Sequence, residues 1–208
     1  MKKLFLLILL TAFALPARAQ PIRFGVEAGF SRADVPRDHL PEQGDSRGGA
    51  SINVMAFALT PLGATKFTLQ TGLRFLSYRN EETVHGPDGL FDRFRLTQYH
   101  LVLPMRLRYT LFRNVFVMAG PEVGFLLRAT SESEIYDVLT IQRSNITDSM
   151  NRFHLGWTAG AGYAFRVGGR RLYLQALYGR SLTGMDRLEA EDLNRHAEEA
   201  GLSIGYLF

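Results

Sequence analysis

The C-terminal segment AGLSIGYLF, residues 200 to 208, alternates with a period of two up to the last residue. Its large apolar side chains share one face, and they are Leu202, Ile204, Tyr206 and Phe208. Ser203 and Gly205 lie between them, and Leu207 is the exception. This alternation predicts a β-strand with one apolar face. Because chain termini usually fray into water, an apolar terminal strand raises the question of which solvent its outer face contacts.

The first 19 residues are organised like a secretory signal peptide. A basic start, MKK, precedes an apolar run of 12 residues, and residues 17–19 (ARA) fit a small-x-small cleavage site. A transmembrane helix is the alternative, but a span needs about 20 apolar residues, and Pro16 closes the run early. We therefore expect a signal peptide over residues 1–19 and a single domain over residues 20–208.

The charge and cysteine content narrow the class of protein. Removal of residues 1–19 leaves 208 − 19 = 189 residues and takes away three basic side chains, so the formal charge falls from +4 to 4 − 3 = +1. A nearly neutral domain gives no reason to expect a nucleic acid partner. The chain has no Cys, so no disulfide stabilises it. No later run approaches the ~18 apolar residues of a transmembrane helix.

Seven further segments alternate with the same period of two. They lie near residues 22–31, 51–59, 67–75, 98–109, 115–128, 153–165 and 171–179. In the first of them, Phe24 and Val26 share an apolar face, whereas Arg23 and Glu27 lie on the other. Apart from the signal peptide, the only helical feature that we expect is a short turn near residues 188–197. The sequence thus predicts an all-β domain of eight strands.

The connections between these strands alternate in length. The long ones cover residues 32–47, 79–96, 130–151 and 181–199, and the short ones cover residues 60–66, 110–114 and 168–170. In an up-and-down antiparallel meander, this order places all long loops at one end and all short turns at the other. Outer-membrane barrels have that asymmetry, with short periplasmic turns and longer extracellular loops.

Alternation alone does not say which face meets solvent, because a soluble lipocalin-like barrel would have the same pattern with its apolar face inside. The signal peptide, the sorted loop lengths, the mixture of Gly with charged residues on the polar face and the aromatic residues near strand ends favour lipid outside. We predict an eight-stranded antiparallel up-and-down transmembrane β-barrel of the outer-membrane type, with an apolar outer face on the terminal strand.

Four motifs resemble successive strands of the PorT-type outer-membrane β-barrel proteins of Bacteroidota. In order, they are YHLVLPMRLRY (99–109), VFVMAGPEVGFLL (115–127), GWTAGAGYAF (156–165) and LYLQALYGRSLTGM (172–185). The resemblance extends over essentially all of residues 20–208. It implies the barrel fold and an outer-membrane location, and the role of the named family member in type IX secretion becomes a candidate role.

The closing residues resemble the C-terminal signal that the barrel assembly machinery reads during insertion. Tyr206 and Phe208 supply its aromatic residues, and Ser203 stands where Gly is usual. The expected partners are that machinery, outer-membrane lipid and lipopolysaccharide, and other envelope or secretion proteins. The expected location is the outer membrane, with both termini on the periplasmic side.

Charged and polar residues on the polar face of the strands are predicted to meet in the lumen. The predicted network comprises Arg23, Glu27, Arg74, His100, Arg106, Arg108, Glu122 and Arg128. Isolated buried charges are very costly, so we expect Arg and Glu to pair as a plug that fixes the strand register. An ion-conducting or substrate site is the alternative, although the interior of an eight-stranded barrel is just wide enough for side chains to fill.

Two prolines fall within predicted strands. Proline removes a donor from the ladder and is normally confined to edges and bulges, and a closed barrel has no edge. We therefore expect bulges at Pro104 and Pro121.

No arrangement in the sequence predicts catalysis, a cofactor or a metal site. His100 and His154 lack the His-x-Ser pattern of lipid A deacylase barrels and are expected in the lumen network. The loop carboxylates between Glu189 and Glu199 could coordinate a divalent cation, but they are expected to be solvated. We expect a non-enzymatic structural, adhesion or secretion/assembly component that acts through its long loops. A small porin is the first alternative and a lipid-modifying enzyme the second.

Overall fold

The computed structural model describes residues 21–34, 44–85, 91–135, 140–183 and 197–208. These ranges contain nine strands: β1 (Arg23–Asp34), β2 (Gly44–Pro61), β3 (Phe67–His85), β4 (Phe91–Thr110), β5 (Val115–Ile135), β6 (Thr140–Asn145), β7 (Phe153–Val167), β8 (Arg170–Ser181) and β9 (Glu198–Leu207). A 3-10 turn, Thr147–Ser149, separates β6 from β7. Within these ranges, no helix has the length and hydrophobicity needed to span a membrane.

The strands close into an antiparallel barrel. Their hydrogen-bonded order is β4-β3-β2-β1-β9-β8-β7-β5, and a β4–β5 ladder joins the two ends of this order. The first and last strands pair from Gly25↔Leu207 to Asp34↔Glu198. The short β6 pairs with the part of β5 beyond β7, so it continues the position of β7 and adds no ninth position. The predicted eight-stranded up-and-down barrel is confirmed.

The strands are strongly staggered around the barrel. Stepping from Glu27 to the residue paired with it in each successive strand leads through β2, β3, β4 and β5 to His154 in β7. In the other direction the same steps lead through β9 and β8 to Ala164 in β7. The two routes end 164 − 154 = 10 residues apart, which means that the strands tilt relative to the barrel axis. Eight tilted strands enclose an interior that side chains can fill.

The outer surface of the barrel is apolar. Large exposed side chains on it include Phe24, Val26, Phe30, Ile52, Val54, Leu73, Phe75, Leu103, Leu107, Phe125, Leu155, Leu174, Leu202, Ile204 and Phe208. Leu202 is 70% exposed and Phe208 is 74% exposed. An apolar surface of this extent is far larger than a soluble monomer exposes. The outer face of the terminal strand therefore meets hydrocarbon, as predicted.

Aromatic pairs lie on the outer surface near both ends of the barrel. Near one end, the ring centroids of Trp157 and Tyr178 are 5.6 Å apart. Near the other, the centroids of Phe67 and Tyr109 are 4.7 Å apart, and Tyr206 and Phe208 are in contact. Aromatic side chains in two such bands are typical of the membrane interfaces of a barrel.

The short connections gather at one end, together with residues 21 and 208. We call this the turn end and the opposite one the loop end. The tightest turn is the two-residue hairpin Gly168-Gly169, whose φ angles are 56° and 81°. A type I′ hairpin needs positive φ at both positions, which Gly adopts without strain. The predicted short turns are confirmed at all three positions.

The loop end differs from the prediction. Residues 79–96 and 130–151 were expected to be loops, but β3 continues to His85, β4 starts at Phe91, and β5 continues to Ile135 before β6 begins. Cross-strand pairing holds these polar segments as strands, although they lack the apolar alternation that marks a lipid-facing strand. Residues 35–43, 86–90, 136–139 and 184–196 of the predicted long loops, and with them most of the turn expected at 188–197, lie outside the described ranges.

The predicted bulges at Pro104 and Pro121 are wrong. The register is the same on both sides of each proline, and only the ladder bridges around Pro104 and Pro121 are interrupted. The barrel therefore tolerates the missing donor as a local gap. The bulge in the β4–β5 ladder lies instead at Tyr99/His100, where Leu127 of β5 is the extra residue.

The closure of β1 on β9 predicts that the last three residues are essential for assembly. The amide of Phe208 donates to the carbonyl of Phe24 over 3.0 Å, and Tyr206 and Leu207 pair with β1 and β8. In hydrocarbon, each unsatisfied backbone group costs several kcal/mol. Deletion of residues 206–208 should abolish heat-modifiable gel migration and surface exposure of an epitope inserted between β5 and β6, and Phe208→Asp should reduce both strongly.

Ser203→Gly is the matched control in the same strand, because it keeps the backbone ladder and removes one side-chain hydrogen bond. It should retain most of the surface signal. Wild-type surface exposure of the Phe208→Asp protein would contradict this account of the closure.

Candidate functional site: a polar network inside the barrel

The inward faces of the strands bring charged residues together inside the barrel. Within the described ranges, the buried charged residues are three arginines and three glutamates: Arg74, Arg106, Arg108, Glu27, Glu122 and Glu199. Strand alternation selects them, because residues of one parity along each strand point inward. The three carboxylates balance the formal charge of the three guanidinium groups, which lowers the cost of burying them.

Arg74 of β3 is the centre of the network. Its Nη2 donates to both carboxylate oxygens of Glu122 in β5, at 3.1 and 3.0 Å. Its Nη1 lies 3.6 Å from Oε2 of Glu199 in β9. Arg74 is only 1% exposed, so this cation is held in the interior between two carboxylates. Charge-assisted contacts of this kind are stronger than neutral hydrogen bonds.

Glu199 of β9 connects the network to β1 and β3. The Ser31 hydroxyl donates to its Oε1 over 2.6 Å, and the Tyr78 hydroxyl donates to its Oε2 over 3.2 Å. The prediction missed Glu199 because it ended the preceding loop at this residue. Extending the alternation of β9 backwards from Ser203 in steps of two would have placed Glu199 on the inward face.

Glu27 of β1 forms a second group closer to the turn end. The Tyr173 hydroxyl donates to its Oε2 over 2.6 Å, and the Ser203 hydroxyl donates to its Oε1 over 3.0 Å. These residues come from β1, β8 and β9, so the group spans the seam between β1 and β9. A Cβ at Gly205 would overlap the Tyr173 ring, and the missing side chain there makes room for the ring that carries the hydroxyl.

Arg106 of β4 is only partly satisfied. It is fully buried, its Nε donates to Thr158 Oγ1 over 3.0 Å, and its Nη2 lies 3.9 Å from Glu122. The side-chain amides of Gln70 and Gln175 are also buried and have no partner among the described residues. This level of the lumen is polar but only partly hydrogen-bonded.

The two histidines occupy the loop-end side of the network. His100 Nε2 and Gln98 Oε1 are 3.2 Å apart, and the rings of His100 and His154 have centroids 5.0 Å apart. The Tyr78 ring packs against His100 at 5.4 Å. These contacts arrange the imidazoles as packed members of the lumen, with an amide as the polar partner of His100.

An apolar layer, which the predicted polar network did not include, fills the lumen on its turn-end side. Its buried members are Met55, Phe57, Leu59, Phe116, Met118, Tyr173 and Leu207. Leu207 broke the pattern of the terminal strand because it belongs to this layer. The even residues of β5 carry the same signal, since Phe116 and Met118 share the parity of Glu122.

Open space lies on both sides of this filled core. A basin of about 590 Å³ lies at the turn end, and a cavity of about 20 Å³ lies on the loop-end side, next to Tyr78, His100 and Glu199. Between them lie side chains with essentially no exposed surface, including Arg74, Arg106 and Tyr173. The polar network and the apolar layer together form a plug.

Two members of the predicted set do not belong to the plug. Arg128 is exposed on the outside, because the extra residue Leu127 shifts the phase of β5 so that Leu126 and Ala129 face inward. Arg23 is exposed at the turn end, where it lines the basin. The structure places the other predicted residues, from Glu27 to Glu122, on the inward face.

The loop carboxylates are the candidate metal ligands in the sequence. Glu189, Glu191 and Asp192 lie outside the described ranges, whereas Glu198 and Glu199 lie in β9 and contact arginines. In the described part of the chain, no group of three or more His, Asp and Glu side chains is arranged to hold a metal ion.

The closed barrel, its apolar outer surface and its plugged interior together define an integral membrane barrel of the outer-membrane class. The family model of the outer membrane protein beta-barrel domain matches residues 17–187. The chain belongs to this family and is an outer-membrane β-barrel protein.

A solved barrel with the same fold confirms the architecture. Neisserial surface protein A superimposes with a TM-score of 0.51 at 13% identity, covering 91% of this chain and 100% of that chain. Ail, the attachment invasion locus protein of Yersinia pestis, gives a TM-score of 0.48 at 11% identity, covering 91% and 100%. At these identities, the similarity concerns the fold alone. A comparison with curated proteins found no match.

The central position of Arg74 predicts a large stability loss when its charge is removed. Arg74→Met leaves Glu122 and Glu199 buried without their main cation, and breaking a buried pair costs about 3–5 kcal/mol. We expect a loss of this size in guanidinium unfolding of the lipid-embedded barrel. Adding Glu122→Gln should recover part of it, because one uncompensated carboxylate is removed.

Arg79→Met is the matched control in the same strand, since Arg79 pairs with Glu81 at an exposed position. Exposed pairs contribute about 0–1 kcal/mol, so this variant should unfold almost like the wild type. An Arg74→Met barrel that matches the Arg79→Met barrel would show that the network does not stabilise the fold.

Proposed function

We propose that this protein is a closed, non-enzymatic barrel that acts through the sheet at its loop end, as a structural, adhesion or secretion/assembly component. The observation that carries this proposal is the contrast between a plugged lumen and strands that continue well beyond the length of a membrane span. A filled interior offers no route for a solute, whereas the extended strands offer a surface for partners.

Among the described residues, the extension is confined to part of the barrel. β3, β4 and β5 contain 19, 20 and 21 residues, whereas β8 and β9 contain 12 and 10. A transmembrane strand needs about 9–11 residues, so the long strands have roughly 8–10 residues left over. At about 3.3 Å per residue, this amounts to roughly 25–30 Å of strand beyond the membrane.

A row of alternating charges crosses this extension. In the ladders, Glu81 of β3 lies opposite Arg95 of β4, Arg95 lies opposite Glu132 of β5, and Glu132 lies opposite Arg143 of β6. Arg95 is 2.8 Å from Glu81 and 3.3 Å from Glu132, and Arg143 is 3.3 Å from Glu132. Directly opposed unlike charges stabilise a sheet, so we call Glu81, Arg95, Glu132 and Arg143 the charge ladder.

The outermost strand of the extension has an edge suited to a partner. Among the described strands, β6 pairs only with β5, and the side chains of residues 142–145 are exposed. A free strand edge offers backbone groups to which another chain can add. This edge supports a role that depends on other envelope proteins.

Neither alternative role gains support from the interior. For a small porin, the lumen would need a continuous aqueous path, and buried side chains occupy its centre. For a lipid-modifying enzyme, a histidine would need a nucleophile to activate. The described contacts of His100 are Gln98, Tyr78 and His154.

The location and partners follow from the same proposal. We propose that residues 1–19 are a cleaved signal peptide, that the turn end with both termini faces the periplasm and that the loop end faces outside. The apolar belt then contacts outer-membrane lipid and lipopolysaccharide, and the terminal Tyr206 and Phe208 engage the barrel assembly machinery. The strand motifs between residues 99 and 185 support a PorT-type relationship within Bacteroidota, and with it a link to type IX secretion.

In-cell photocrosslinking tests the proposed role of the extension. A crosslinkable residue replaces Ser144 on the edge of β6 or, as the matched control, Phe112 in a turn-end connection. We expect discrete adducts from position 144 that the control position does not give. Arg95→Glu should abolish them, because it opposes like charges in the charge ladder while leaving the barrel intact.

Two results would overturn the proposal. Adducts that persist unchanged in an Arg95→Glu protein would mean that the ordered extension is not what partners recognise. A change in the lipid A mass spectrum of a deletion strain, restored by the wild-type gene and not by a His100→Ala gene, would support the enzyme alternative instead.

A further inference from the structure

The turn end of the barrel opens into a basin of about 590 Å³ that the plug leaves unfilled. Its floor is the apolar layer, represented by Phe116 and Leu207, and its wall is polar. Five arginines line it: Arg23, Arg108, Arg113, Arg166 and Arg171. They come from β1, β4, the β4–β5 turn, β7 and β8, so the cations surround the mouth.

The basin differs from the plug in its charge balance. In the plug, each of Arg74 and Arg106 lies within 4 Å of a glutamate oxygen. No Asp or Glu lines the basin, and none of its five arginines forms an ion pair with a described residue. The mutual repulsion of these cations is therefore not offset by an ion pair with any described residue.

Arg108 is the member that the fold holds most firmly. It is 7% exposed, and its guanidinium carbon lies 3.3 Å from the centroid of the Phe116 ring and 5.4 Å from that of Tyr173. Its Nη1 is buried without a partner among the described residues. A buried donor without a partner is unfavourable. The aromatic contacts fix the guanidinium at the basin floor with a donor left over.

We propose that the basin binds a small anion that carries two or more phosphate or carboxylate groups. Guanidinium groups match the planar, bidentate geometry of these acids, and several arginines around one opening favour a multivalent anion. Pockets for small molecules measure about 300–1,000 Å³, and this basin falls in that range. The concave shape favours a small molecule over a protein surface. The inference concerns the turn end and does not depend on the role of the loop end.

Isothermal titration of the purified barrel with pyrophosphate is the direct test. The barrel is placed in phosphatidylcholine nanodiscs at low ionic strength. We expect one saturable site that weakens as salt is added, since exposed charges are screened. The double variant Arg113→Gln/Arg171→Gln should raise the Kd about tenfold or more. Arg108→Gln should also raise it, in protein whose heat-modifiable migration shows that it is folded.

The matched control is the double variant Arg143→Gln/Arg152→Gln, which removes two exposed arginines at the loop end. It should leave the Kd unchanged. The absence of a saturable site in the wild type, or an equal loss in the control, would overturn the proposal. Binding of hexaglutamate without binding of pyrophosphate would also overturn it, because it would indicate an acidic peptide as the ligand.

A second arm separates two sources of the same chemistry. Phosphatidylglycerol replaces part of the phosphatidylcholine in the nanodiscs. If pyrophosphate binding is lost at constant ionic strength, a lipid head group occupies the basin. If it persists, the ligand is a soluble anion. Both results require the anion site, and they differ only in what fills it.

Discussion

The structure depends on one constraint, which is that every backbone hydrogen bond of a strand in hydrocarbon must be made within the protein. A sheet left open between its first and last strands would leave the edges of β1 and β9 unsatisfied, and lipid offers them no partner. The β1–β9 ladder removes both edges. Closure with eight strands and a stagger of ten residues then sets a narrow interior. The side chains that face inward therefore contact one another.

The plug is the consequence of that narrowness. Charges that point into a closed lumen cannot be hydrated as they are at a surface, so burying them is costly unless an opposite charge lies close by. Arg74 meets this requirement by contacting carboxylates from β5 and β9, which also ties the two halves of the barrel together. Towards the turn end, apolar side chains take over the filling, and Arg108 stacks on Phe116 at the boundary. The same fold thus separates a sealed centre from two chemically different ends.

The sequence predicted most of the features that a membrane environment requires of a barrel. The alternation in β1, β3, β7 and β9 reports the difference between hydrocarbon and lumen directly, and the inward positions of Glu27, Arg74, Arg106 and Glu122 follow from it. The alternation could not predict that Arg128 lies on the outside. The extra residue Leu127 reverses which residues of β5 face inward, and the amino-acid composition gives no sign of it. Met55 and Phe116 were missed since an apolar lumen layer looks like part of the lipid face. The parts of β3, β4 and β5 beyond the membrane, and the short β6, were missed. Strands in water carry polar residues, such as Glu81 and Glu132, and therefore resemble loops in sequence.

The central claim is that the plug closes the barrel, and single-channel recording in planar lipid bilayers tests it most directly. A large porin reconstituted in the same way serves as the positive control for insertion. For this protein, inserted with its heat-modifiable migration intact, the account predicts a silent membrane with no stable, reproducible openings at either polarity. Uniform openings of one conductance, present in the wild-type protein and dependent on salt concentration, would show that the lumen conducts and would contradict it.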